Sequence, residues 1–119
     1  MDTNIYRSLR RFEVAGDGHE TLRQKQSRFV RMVALLLIHA DSLGYEITFG
    51  DAYATSGHMD GSLHYKRLAI DLNLFKRGHY LTRTTDHKPL GEYWESIGGS
   101  WGGRFGDGNH YSLEHEGVR

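Results

Sequence analysis

The segment SLHYKRLAIDLNLF, residues 62–75, combines the alternating pattern of a strand with a histidine and an aspartate. Successive side chains of a strand point to opposite faces, so the aliphatic residues of LAIDLNLF share one face. They are Leu68, Ile70, Leu72 and Leu74. Asp71 lies on the other face, and His64 lies in the turn that enters the strand. The pattern predicts a strand with one face in the core and polar chemistry on the other.

The composition indicates one soluble globular domain spanning residues 1–119. Fifteen acidic and fifteen basic residues balance, so there is no general electrostatic reason to bind nucleic acid. The chain has no cysteine, which excludes disulfides and thiolate metal sites and leaves histidine and carboxylate as zinc ligands. The longest apolar run, residues 32–40, is too short to span a membrane. The first residues lack the apolar centre of a secretory signal.

The pattern of elements predicts an α+β fold in which a small, mainly antiparallel sheet packs against helices. A capping box formed by Thr21 and Gln24 begins a long helix that stops at Gly44. Its apolar face is predicted to comprise Leu22, Phe29, Val33, Leu36, Ala40 and Leu43. Its other side carries Arg23, Lys25, Arg28 and Arg31, which we interpret as a solvated face.

The rest of the chain predicts short strands and one short helix. A strand interrupted near Gly50 is expected from residue 45 to about residue 53, a hairpin at KRGHY, a helix from Pro89 to about Ile97, and a last strand at HYSLEH. Six glycines between residues 98 and 108 predict tight backbone with positive φ.

Three side chains could converge with Asp71 on its polar face of the sheet. His64 precedes Asp71 by seven residues, and His110 begins the last predicted strand. Two histidines and one carboxylate that leave a fourth position for water form an open zinc site. Asp107, three residues before His110, is a candidate general base. A hydrogen-bonded structural pair, and a turn role for Asp107, remain the alternatives.

Two motifs resemble a known family. SLHYKRLAIDL resembles the Ser-x-His-x6-Asp signature of the VanY-like zinc D-Ala-D-Ala carboxypeptidases and L-alanyl-D-glutamate endopeptidases, which share the Hedgehog/DD-peptidase fold. WGGRFGDGNHY resembles the second half of the same family. The resemblance covers a core of about residues 46–116 and leaves residues 1–20 as an N-terminal extension. It extends to the small single-domain endolysins of bacteriophages.

The resemblance implies a set of site residues. His64, Asp71 and His110 would hold one Zn²⁺ per chain, and Asp107 would be the catalytic carboxylate. Ser62 would shape the loop or touch substrate, and Trp101 lies close enough in sequence to line the cleft. Members often carry an arginine where this chain has Ala54. Arg67 and His58 are the two candidates to replace that arginine at the oxyanion.

The function implied is hydrolysis of a peptide bond in the peptidoglycan stem or cross-link by a monomeric phage lysis enzyme. The L-Ala-D-Glu bond is the first choice, and D-Ala-D-Ala or cross-link cleavage is the second. The protein is expected to collect in the host cytoplasm and reach the wall after another protein opens the membrane. The alternatives are a zinc-binding module without activity, and binding of anionic membrane or nucleic acid by the basic helix face.

Overall fold

The computed structural model describes residues 19–119, so the predicted extension at residues 1–20 lies almost wholly outside the described residues. Two α-helices and five strands are found in this range. They are α1 (Leu22–Ser42), β1 (Glu46–Phe49), β2 (Ala69–Lys76), β3 (His79–Leu81), α2 (Lys88–Ser96), β4 (Ser100–Trp101) and β5 (His110–Ser112). The strands form one antiparallel sheet in the order β1-β2-β5-β4, with β3 also paired to β2. The α+β prediction is confirmed.

Helix α1 begins at the predicted capping box. The Thr21 hydroxyl accepts a hydrogen bond from the Gln24 backbone N–H at 3.1 Å, and the Gln24 side chain accepts one from the Thr21 N–H at 2.8 Å. The chain leaves the helix through Gly44, whose φ is +85°. None of the helices within residues 19–119 is long and apolar enough to cross a membrane.

The buried face of α1 differs from the predicted face at both ends. Its buried residues are Phe29, Met32, Val33, Leu35, Leu36 and Ala40. The predicted members Leu22 and Leu43 are 39% and 41% exposed, because they lie at the helix ends, beyond the core. Amphipathic spacing therefore predicted the buried residues in the middle of α1 correctly. It failed at the two ends, which extend beyond the core.

Strand β2 is the centre of the sheet. It pairs with β1, β3 and β5, and its predicted aliphatic row is buried throughout. The predicted hairpin joins β2 to β3 through Arg77 and Gly78, whose φ values of +51° and +78° suit a two-residue turn between antiparallel strands. Strand β1 ends at Phe49, next to the predicted interruption at Gly50, and the chain stays bonded to β2 for two more residues. The Gly50 N–H donates to the Asp71 carbonyl at 2.8 Å, and the Asp71 N–H donates to the Asp51 carbonyl at 2.8 Å.

Trp94 joins the helices to the sheet in the middle of the core. Its side chain is fully buried, and its indole N–H reaches the carbonyls of Ser112 at 2.9 Å and Ser100 at 3.1 Å. The rings of Phe29 and Tyr111 meet it edge-on, at 5.7 and 6.1 Å between centroids. A buried indole with a satisfied N–H contributes a large apolar area and also fixes orientation. Trp94 thereby ties α1, α2, β4 and β5 into one core.

The glycine-rich segment was interpreted wrongly at four of its six glycines. Only Gly98 and Gly106 have positive φ. The others have little room for a side chain: a Cβ on Gly99 or Gly103 would collide with an indole ring, and one on Gly102 or Gly108 would collide with backbone. These glycines allow close packing and do not relieve backbone strain.

His87 should make stability depend on pH. It is 3% exposed, its Nδ1 lies 2.9 Å from the Tyr111 hydroxyl, and burial lowers its pKa from the ordinary value of 6.5. As pH falls below about 6.5, the unfolded chain takes up this proton before the folded chain does, so the free energy of unfolding decreases. We expect His87→Gln to show a smaller decrease than the wild type in denaturant unfolding measured across this range. Parallel stability curves for the two proteins would contradict this assignment.

Candidate metal centre

Three of the predicted site residues converge at one end of β2. The register of β2 and β5 sets Asp71 directly opposite His110, and residues that face each other in this way have Cβ atoms about 4.5–5.5 Å apart. His64 arrives from a 3₁₀ turn, Leu63–Lys66. An Asp71 carboxylate oxygen lies 3.3 Å from His64 Nε2 and 3.5 Å from His110 Nδ1.

Two local features hold the turn that presents His64. The Ser62 hydroxyl accepts a hydrogen bond from the His64 N–H at 3.2 Å and so caps the turn at its start. Arg67 ends the turn in the left-handed region, with φ at +57°, and the Leu68 N–H then donates to the Leu63 carbonyl at 3.0 Å. The chain therefore reverses just before β2, which brings His64 beside Asp71.

The donor set fits a single divalent ion. Zinc binds nitrogen and oxygen at about 2.0–2.2 Å with tetrahedral geometry, which separates its ligand atoms by roughly 3.3–3.5 Å. The two separations at Asp71 are of this size and are longer than ordinary hydrogen bonds. Among the described residues, the buried ring nitrogens His64 Nδ1 and His110 Nε2 have no hydrogen-bond partner, so in each ring the nitrogen beside Asp71 is the one positioned to bind an ion. Three protein donors leave one position open, as in catalytic zinc sites.

The burial of His64 favours metal binding. Its side chain is 2% exposed, and desolvation lowers its pKa, assisted by the neighbouring rings of His58 and His110 and opposed by Asp71. Only the neutral imidazole can donate a lone pair to a metal. The environment of His64 therefore favours the form that a metal ion needs.

His58 lies against the cluster and is held from two sides. Its ring stacks on His64 with 4.1 Å between centroids, and its Nε2 lies 2.8 Å from an Asp51 carboxylate oxygen. The Tyr65 hydroxyl bonds to both the N–H and the carbonyl of His58, at 2.8 and 2.7 Å. Asp51 was missed in the sequence because the strand pattern predicted to about residue 53 gave no sign that the Asp51 side chain meets His58.

Asp107 shares a cleft of about 300 Å³ with the three converging residues. Its backbone is fixed by a bond from its N–H to the Gly102 carbonyl at 2.9 Å and by one from the His110 N–H to its own carbonyl at 3.1 Å. Its side chain is exposed. This position suits the predicted role as a base, which stays a prediction.

The cleft also has apolar walls that the sequence did not reveal. Phe105 lines it, with its ring 5.9 Å from that of His110 between centroids, and Met59 lines it while remaining 85% exposed. Met59 lies in a loop and Phe105 ends a short 3₁₀ turn, Gly102–Phe105, so neither belongs to an element long enough for periodicity to indicate direction. Only their hydrophobic character amid polar neighbours could have drawn attention to them.

Two weaker site predictions find no support in the positions of the side chains. Arg67 is exposed and does not line the cleft, since its guanidinium lies over the Tyr53 ring at 4.2 Å from the centroid. Trp101 is 4% exposed and lies beneath the glycine-rich loop, where its indole N–H donates to the Gly108 carbonyl at 2.7 Å. Burial leaves Trp101 without a face for substrate, so its contribution is to support the loop.

Two histidines and an aspartate that converge at an open cleft of an α+β domain are typical of a metal-dependent hydrolase. Residues 55–113, about half of the chain, match the family model of D-alanyl-D-alanine carboxypeptidase. The matched segment contains the three converging residues and Asp107, and it supports this family and a metallopeptidase that acts on peptidoglycan. No curated protein matches the chain in sequence.

Removing one member of the cluster should abolish tight metal binding. We expect His64→Ala to lower zinc affinity by more than about 100-fold, since loss of even an outer partner of a ligand typically costs 10–100-fold. Equilibrium dialysis followed by metal analysis measures this. His115→Ala is the matched control, because His115 is half-buried but lies beside Lys25, outside the cluster. Equal zinc affinity in both variants would show that the cluster is not the metal site.

Proposed function

We propose that the protein is a zinc metallopeptidase that hydrolyses a peptide bond in bacterial peptidoglycan and acts as a phage endolysin during host lysis. The observation that carries the proposal is the convergence of His64, Asp71 and His110 on the cleft that Asp107 lines, all within the matched segment. The L-Ala-D-Glu bond is the favoured target, and the D-Ala-D-Ala bond and the cross-link are the alternatives.

In this proposal His64, Asp71 and His110 hold the ion. When bound, zinc lowers the pKa of water and polarises a carbonyl group. Asp107 then accepts the proton of the attacking water and delivers it to the leaving amine, a transfer typically worth about 10²–10⁴ in rate. The exposure of Asp107 leaves its carboxylate accessible to both water and substrate.

His58 is a better candidate than Arg67 for the group that assists the oxyanion. His58 lines the cleft, and its ring is held by Asp51 and by the stack on His64. Its Nε2 is engaged by Asp51, so Nδ1 is the atom that would serve the oxyanion, and a ring already held in place needs little reorganisation during the reaction. Arg67 would first have to leave the Tyr53 ring.

The two alternative functions, an inactive metal-binding module and binding through the basic face of α1, have less support. A metal-binding module without activity would not need a carboxylate at the open side of the cluster, where Asp107 lies. The basic face of α1 is partly engaged within the protein, because Glu20 neutralises Arg28 in a two-pronged ion pair at 2.8 and 2.9 Å and Lys25 donates to the Glu114 carbonyl. Neither observation favours the alternative over hydrolysis.

Asp107→Asn should separate turnover from metal binding. The amide cannot accept the proton, so hydrolysis of purified cell walls should fall by at least about 100-fold. Zinc content should match the wild type, because Asp107 is not one of the three converging residues. Wall turbidity and metal analysis on the same preparations provide the two measurements. Full activity in Asp107→Asn would exclude its proposed role as the base.

The bond that is cut can be identified directly from the products. Mass spectrometry of muropeptides digested by the purified protein should show free stem fragments that begin with D-Glu. His64→Ala serves as the inactive control. Release of terminal D-alanine alone would replace the endopeptidase proposal with a carboxypeptidase.

A further inference from the structure

The last described residues form a tight turn that leads back to the cleft. His115 and Val118 exchange two backbone hydrogen bonds, at 2.8 and 2.9 Å. Between them Glu116 and Gly117 have φ values of +50° and +81°. Two successive positive φ values between paired residues are typical of a type I′ turn, which reverses the chain sharply.

Contacts on both sides of β5 anchor this turn. The Leu113 N–H donates to the Leu68 carbonyl at 3.0 Å, which extends the pairing of β5 with the chain before β2. Lys25 of α1 donates to the Glu114 carbonyl and lies 3.3 Å from His115 Nδ1. Because the turn is fastened before it reverses, the residues after it, Val118 and Arg119, line the cleft that holds the three converging residues.

Arg119 is the only lysine or arginine among the residues that line this cleft. The lining carboxylates are Asp60, Asp71 and Asp107. No carboxylate of residues 19–119 lies within ion-pair distance of the Arg119 guanidinium. The one basic residue that lines the cleft therefore has no acidic partner in the described part of the chain.

We propose that Arg119 binds a free carboxylate of the substrate next to the bond that is cut, which deepens the proposed function and rests on it. Two of the three candidate bonds, L-Ala-D-Glu and D-Ala-D-Ala, offer such a group on the carbon attached to the scissile nitrogen. In the stem, D-Glu keeps its α-carboxylate free because the chain continues through its side chain, and a terminal D-Ala carries its own carboxylate. This carboxylate lies roughly 4 Å from the scissile carbonyl carbon by ordinary bond lengths, so one cleft holds both.

Arginine suits this task because its planar guanidinium can form two parallel hydrogen bonds to a carboxylate. The same charge offsets the repulsion that the cleft aspartates would exert on an anionic substrate. Arg119 would thus be a specificity-determining residue that selects peptides with a free carboxylate at this position.

The test compares matched substrates on matched variants. The substrates are stem peptides with the free carboxylate and the same peptides with a carboxamide in its place. For the carboxylate peptides we expect Arg119→Gln to lower kcat/KM by about tenfold, mainly through KM, a typical loss for one charge-assisted hydrogen bond. The carboxamide peptides should lose less than about twofold, and Arg119→Lys should recover part of the lost activity. Arg77→Gln, at the exposed tip of the β2–β3 hairpin, is the control for removing one surface charge.

A second measurement does not depend on turnover. Calorimetric binding of both peptides to Asp107→Asn should show a preference for the carboxylate that disappears when Arg119→Gln is added. Equal losses on both peptides, or an undiminished carboxylate preference without Arg119, would overturn the inference while leaving the proposed function intact. If the metal-loaded wild type cuts neither peptide, the proposed function fails, and the binding preference alone still decides the role of Arg119.

Discussion

The antiparallel pairing of β2 with β5 is the constraint on which the rest of the structure depends. It sets Asp71 opposite His110, so two of the three candidate ligands meet through backbone hydrogen bonding rather than through flexible side chains. The register cannot slip by one residue, because that would turn the buried row of β2 toward the cleft and Asp71 toward the core. The same hydrophobic burial that stabilises the fold therefore also specifies the geometry of the site.

Much of this arrangement could be predicted from the sequence because it follows from periodicity. Alternation in LAIDLNLF placed Asp71 away from the core, and the approach turn placed His64 on the same side. Asp51, which holds His58, and Phe105 and Arg119, which line the cleft, could not be predicted in this way, since their positions depend on tertiary contacts of segments outside the α-helices and strands. The prediction of positive φ failed at most of these glycines for a related reason. A glycine required by positive φ and a glycine required by close packing against an indole ring cannot be distinguished in a sequence.

The cleft depends on supports in two parts of the chain: the capped turn that carries both His64 and Tyr65, and the last turn before Arg119. The Ser62 cap holds the His64 turn, the Tyr65 hydroxyl holds His58, and Lys25 holds the last turn before Arg119. Each support is a hydrogen bond from a residue that does not itself contact the converging nitrogens. Damage to one support should therefore loosen one wall of the cleft while the ligand pair on β2 and β5 stays in place.

The packing of the glycine-rich loop on Trp101 limits which residues of the loop can vary. Gly102 and Gly103 face atoms that leave no space for a side chain, whereas Arg104 and Phe105 face outward. Substitutions of the inward-facing glycines should therefore disrupt the packing of this loop. The outward-facing residues can be exchanged without moving the backbone. A new substrate preference could arise here by single substitutions, with the path of the chain unchanged.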